Sequence, residues 1–194
     1  MQKFVILSMI VFLLSGCIAH EPAPLPEIIP PIRMAITPAN SYMAPAANLC
    51  SQEIPGVVIT IDILPISEID TIRYDLIITS GEGVTDWQYQ LFEEKLDFII
   101  NPSNPITELN RDQILQILGG YITEWDEIAP EESTEISNEI IQVFLFGDQD
   151  DVTNLVVDQL PEDITINART RYLPGAVEIT QAVLSNPEGI GILP

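Results

Sequence analysis

At 194 residues and 46% hydrophobic content the chain can form one substantial core or two small lobes, which excludes a wholly disordered polymer despite a formal charge of −22. Seven basic side chains against 29 acidic ones exclude a nucleic-acid partner, because phosphate backbones demand clustered Lys and Arg. His20 is the only histidine, so histidine-dependent triads and most zinc sites are excluded as well.

In chain order, Lys3 is followed by an apolar run from Phe4 to Leu14 and then by Ser15-Gly16-Cys17. A run of this length is too short for a membrane span of about 20 residues, and small residues before a cysteine suit a lipoprotein signal over 1–16. Cys17 is then the acylated N-terminus, and a diacylglycerol with an amide-linked chain supplies the two anchors that stable attachment needs. An ordinary secretory signal, or a short anchor helix with an incidental cysteine, is the alternative. The expected location is extracytoplasmic and lipid-anchored to the cell membrane. Loss of Lys3 makes the mature chain more acidic still, so the lipid anchor is its only expected membrane contact. With Cys17 modified, Cys50 lacks an intramolecular partner and is expected as a small buried hydrophobe.

Residues 17–31 carry Pro22, Pro24, Pro26, Pro30 and Pro31, the composition of a semi-rigid polyproline tether. Beyond it, Ile- and Val-rich runs predict strands at Ile32–Ile36, Val57–Leu64, Asp75–Ile78, Asp97–Ile100 and Ile141–Phe146. Helices are predicted at Leu109–Leu118, capped by Asn110 and stopped by Gly119-Gly120, and at Asp150–Gln159 and Ala176–Leu184. Strands alternating with helices imply an α/β protein with a mainly parallel sheet.

Two segments carry a family resemblance. From Leu96 the chain reads LDFIINPSNPITELNRDQILQILGGYITEWDEI, a strand, an Asn-Pro turn at Asn101–Pro105, a helix ending at Gly119, and a stretch closing on Trp125. The C-terminal run AVEITQAVLSNPEGIGILP adds a last helix, an Asn186-Pro187 turn and a Gly-Ile-Gly strand. In that order these features resemble the periplasmic phosphate-binding proteins of ABC uptake transporters, members of the type II solute-binding fold. IRMAITPANSY and RYDLIITSGEG are similar to that family's first strand and loop and to a later strand and loop. The resemblance covers residues 32–194 and implies two lobes, lobe I at 32–96 and lobe II at 97–189, with 190–194 a terminal strand or crossover. Relatives continue past this strand, so lobe I is expected to be minimal or the sequence a C-terminally truncated one.

Such a fold gathers strand ends and helix N-termini at a cleft, where backbone N–H groups hold an anion without a full positive charge. The expected loops are Thr37, Asn40 and Ser41, then Thr79, Ser80 and Gly81, then VFLFGDQDDVTNLV. In the third, the resemblance implies an arginine followed by Ser-Gly-Thr, but Leu145 or Phe146 stands in place of the arginine. Gln149, Asp150 and Asp151 replace Ser-Gly-Thr, with Asp148 adjacent, unless an offset assigns Thr153 to the threonine. Carboxylates about 4 Å from a phosphate repel it by roughly 1–4 kcal/mol, which argues against phosphate. Asp at a helix N-terminus also has an ordinary role as a cap, and its alternative role is as acceptor for a cationic or polar ligand. Trp125 is expected in the core rather than at a ligand.

The leading expectation is a membrane-tethered solute-binding lipoprotein that delivers a small molecule or ion to an ABC permease, with no cofactor, no metal and no catalysis. The alternative is a degenerate solute-binding fold serving as a sensing or protein-interaction module. An enzyme ranks last, since Glu93-Glu94 and Glu131-Glu132 are adjacent pairs that read as solvated surface.

Overall fold

The computed structural model describes residues 29–128 and 140–194, so the signal segment, Cys17, most of the tether and Glu131-Glu132 lie outside the described residues. Two separate sheets form, one from each half of the chain. The first has β1 (Ile32–Ile36) between β2 (Ile59–Ile63) and β3 (Leu76–Ile78), all parallel. A 3-10 turn at Pro38–Met43 and helix α1 (Ala44–Glu53) connect β1 to β2. The second sheet has the order β4-β7-β5-β6. Its members are β4 (Asp97–Ile100), β5 (Gln142–Phe146), β6 (Arg171–Leu173) and β7 (Gly189–Leu193), with α2 (Arg111–Gly119), α3 (Asp151–Val157) and α4 (Ala176–Ser185) between them. Only β4 runs antiparallel, against β7 in the register Asp97↔Leu193 to Ile100↔Ile190, so mainly parallel α/β layers flanked by helices are present as the sequence implies.

β5 shows why the second half holds the core. Its side chains alternate, so Val143 and Leu145 enter one apolar cluster with Ile117, Leu118, Trp125 and Ile190, while Phe144 and Phe146 enter another with Ala39, Val152, Ile179 and Val183. A strand buried on both faces reads as the continuous apolar run seen in the sequence. Each large side chain so buried contributes about 1.5–3 kcal/mol. The first half is thinner. Met34, Ala35 and Ile36 of β1 are buried, but α1 buries no side chain and Leu49, Ile63 and Leu76 are exposed. Cys50, expected inside, is also exposed, because among the described residues α1 lies at the margin of this thin layer with no second layer over it.

The motifs that carry the family resemblance have structural reasons. Asn110 and Gln113 form a reciprocal capping box on α2, which ends at Gly120 in the left-handed conformation. Gly191 lets α4 lie directly on β7, since a Cβ there would stand 2.7 Å from Cγ2 of Ile179. Asn101, which opens the Asn-Pro turn, is buried and donates from Nδ2 to the carbonyls of Val183 and Leu184, at 2.9 and 3.1 Å, satisfying the last turn of α4. Its Oδ1 accepts from the backbone N–H and Oγ of Ser103. One side chain therefore binds the start of the second half to its end. Asn101→Ala leaves two helix-end carbonyls without these donors and is expected to lower stability by about 1–3 kcal/mol, read as a lower urea midpoint with an unchanged slope.

Candidate functional site

β1 and β3 are paired at Ile36↔Ile78, so the residues that follow them emerge side by side. Thr37 leaves β1 in extended conformation, and its N–H donates to the carbonyl of Ile78. Pro38 then starts the 3-10 turn, with the N–H of Asn40 donating to the Thr37 carbonyl at 3.0 Å. On the other side, β5 ends at Phe146 and the chain turns through Gly147 to Asp150, whose side chain caps α3 by accepting from the Val152 N–H at 3.0 Å. The three corners face one another.

They meet on a single carboxylate. Oδ2 of Asp151 accepts from the Thr37 hydroxyl at 2.8 Å, from Asn40 Nδ2 at 3.3 Å, and from the backbone N–H of Ser80. Oδ1 accepts from the Val152 N–H at 2.9 Å, within its own helix. Asn40 Nδ2 also reaches Thr37 Oγ1 at 2.8 Å and Ser80 Oγ at 2.9 Å, which aligns the donors with one another. Thr37, Asn40 and Asp151 are all buried. These donors are neutral hydroxyl, amide and peptide groups, the chemistry that holds an oxyanion without a cation.

Asp150 sits beside this cluster, 1% exposed, with Oδ2 accepting from the N–H of Ala39 at 3.3 Å. Burial pushes its carboxyl up to about 7, helped by the hydrogen bond and the charge of Asp151; the N–H groups of Val152 and Ala39 pull the other way. Near neutral pH Asp150 is therefore partly protonated.

The other expected residues stand apart from this point. Asp148 and Gln149 are exposed, and Gln149 Oε1 instead accepts from the hydroxyl of Ser67. Thr153 is buried but turns inward to donate to the Phe146 carbonyl at 3.0 Å, closing the turn before α3. Gly81 backs onto Leu155 of α3, while Ser41 and Thr79 are half-buried at the edges of their loops. Ala39 was not anticipated, because its contribution is a backbone N–H that leaves no mark on residue type. Among the described residues no group of three His, Cys, Asp or Glu side chains is placed to hold a metal ion.

No protein-family model matches the chain, and no curated protein matches it. Solved structures do. An ABC-type phosphate transport receptor from Vibrio cholerae aligns at a TM-score of 0.59 and 17% identity, over 84% of this chain and 70% of that one. A phosphate-bound protein from Clostridium perfringens, assigned as the substrate-binding protein of a phosphate ABC transporter, aligns at 0.57 and 18% identity, over 84% and 70%. The OxyR2 E204G regulatory domain from Vibrio vulnificus aligns at 0.52 and 14% identity, over 88% and 75%. The chain thus has the type II solute-binding fold, phosphate-binding-protein-like in architecture. The two phosphate-transport neighbours are binding proteins rather than enzymes.

The raised Asp150 sets a pH dependence of known sign. Its folded pKa lies above the unfolded value, so between about pH 4 and pH 7 the folded chain holds more protons than the unfolded one. Stability from this group is complete at the acid end and is lost as pH rises through 7. Melting temperatures measured from about pH 5 to pH 8 should fall more steeply for the wild type than for Asp150→Asn, which retains a capping side chain without the titration.

Proposed function

We propose that the chain is a membrane-tethered extracytoplasmic solute-binding lipoprotein of an ABC-type uptake system, with a ligand other than free phosphate. The observation that carries this reading is the meeting of three loops from two sheets on one buried point, in a fold shared with phosphate-transport receptors. Thr37, Asn40 and Ser80 supply donors there, and Asp150 and Asp151 supply acid groups. A polar or cationic solute suits two acids better than an anion does. Ser41, Thr79, Gly81, Asp148 and Gln149 belong to the same loops and form the margin of the proposed site, while Thr153 lies in α3 and turns inward to the Phe146 carbonyl. Lobe I at 32–96 and lobe II at 97–189 would close on the ligand by a hinge and present it to a permease, with no catalysis and no cofactor. Residues 1–16 act as the lipoprotein signal in this reading, and 17–31 as the tether from Cys17.

A second reading is a sensing or protein-interaction module that keeps the fold and carries no cargo. It is favoured by the Asp151 carboxylate at the meeting point and by the likeness to a regulatory domain.

Calorimetric titration of the mature chain with phosphate, sulfate, molybdate, calcium and small polar or cationic organic solutes separates the two. Saturable heat with a polar or cationic solute, and none with phosphate, is the expected result; silence across the set moves the assignment to the second reading. The anchor is tested independently: Cys17→Ser should shift nearly all of the protein from the membrane fraction to the soluble fraction, and unchanged fractionation would refute it.

A further inference from the structure

Asp151 uses its two oxygens differently. Oδ1 accepts from Val152 within its own helix, which is ordinary capping, and Asp150 already caps that N–H. Oδ2 contributes nothing to α3. It crosses to the first sheet and takes the hydroxyl of Thr37, the amide of Asn40 and the N–H of Ser80, donors from two loops aimed at one oxygen. Thr37 is buried and donates its hydroxyl to Asp151, so an empty corner would leave that hydroxyl unpaired away from water, at about 1–3 kcal/mol, and would take the acceptor from the half-buried Ser80 N–H, while Asn40 would keep Thr37 Oγ1 and Ser80 Oγ. Some acceptor has to stand there.

We propose that the Thr37–Asn40–Ser80 corner is an oxyanion site whose tenant is the protein's own Asp151 carboxylate, which holds the two lobes together without a free ligand. The inference deepens the solute-binding reading above and rests on it for the location of the site, but its tenant is fixed by the chain. The donors come from the first lobe, so the site does not depend on the N-terminus of α3. A tethered carboxylate competes at an effective concentration of order millimolar or higher, and a free anion of ordinary affinity cannot displace it. Removing the side chain should expose the corner to small oxyanions, with formate the nearest replacement for the lost group and phosphate or sulfate the larger ones.

The test is chemical rescue in thermal melts of the mature chain at constant ionic strength, with formate, phosphate or sulfate replacing chloride. Asp151→Gly should melt below the wild type and recover roughly 5–10 °C at a hundredfold excess of an accepted anion over its Kd. Asp151→Ser, a smaller truncation that keeps a capping oxygen, should show the same rescue. Wild type and Asp151→Asn, which both keep the corner filled, should show none. Refolding of Asp151→Gly only on addition of formate would equally support the proposal. A folded Asp151→Gly or Asp151→Ser indifferent to all three anions would overturn it, as would a wild-type shift equal to theirs, or failure of both truncations to fold at any anion concentration. Absence of solute binding by the wild type would sink the uptake reading alone, because these variants report on the corner whatever the natural ligand is.

Discussion

The contact between the Asp151 carboxylate and the first-sheet corner is the constraint on which the arrangement of this molecule turns. The second half carries two apolar clusters, one on each face of its sheet, and is internally braced by Asn101 and by the packing of α4 on Gly191. The first half has no comparable reserve: β1 is buried, but α1 contributes nothing to a core and the flanking strands leave Ile63 and Leu76 in solvent. The thin half is attached to the thick one by Ala39 among Phe144, Phe146 and Val152, Gly81 against Leu155, the exposed Ser67–Gln149 hydrogen bond and the hydrogen bonds to Asp150 and Asp151, among other contacts. Of these, the bonds to the two acids are directional and largely buried.

A carboxylate in that position is costly in a chain with 29 acidic side chains, unless its own partners offset the charge. The molecule meets this in two ways. Asp151 is surrounded by neutral donors fixed by the backbone, and Asp150 beside it is pushed toward the protonated form, so the pair avoids two full charges a few ångströms apart. That repulsion alone is about 4 kcal/mol at 4 Å and a surface-like dielectric of 20. A proton on Asp150 therefore lowers the repulsion between the two neighbouring side chains.

Much of the fold was legible in the sequence, and the reasons are local. The strand buried on both faces, β5, reads as the apolar run Val143–Phe146, and β1 as a shorter one after Arg33; α2 announces itself by Asn110, Gln113 and the glycine stop. β6, with three residues ending in a half-buried leucine, has no periodicity to read and exists because β5 offers it an edge. Cys50 was placed wrongly because residue type predicts burial only where a second layer exists to bury against. Within the site, Thr37, Asn40 and Ser80 could be picked out by type and loop position, whereas Ala39 could not, since it acts through its backbone. The acidic loop was read as helix-capping side chains, with acceptors for a cationic or polar ligand as the alternative. Which carboxylate turned inward was invisible, because the choice depends on the spacing of two lobes rather than on any pattern along one segment.

The likeness to both phosphate-transport receptors and a regulatory domain is consistent with this division between scaffold and site. The features shared in order along the chain, the Asn-Pro turn, the capped helix, the buried Trp125 and the Gly-Ile-Gly strand, all do structural work in the second half. None of them touches the corner. Those signatures therefore do not depend on which residue faces Thr37, Asn40 and Ser80, and in this chain that residue is Asp151. The corner donors are met by one acceptor, the Oδ2 of Asp151. In the proposed reading the corner is closed from within, by the carboxylate at the start of α3.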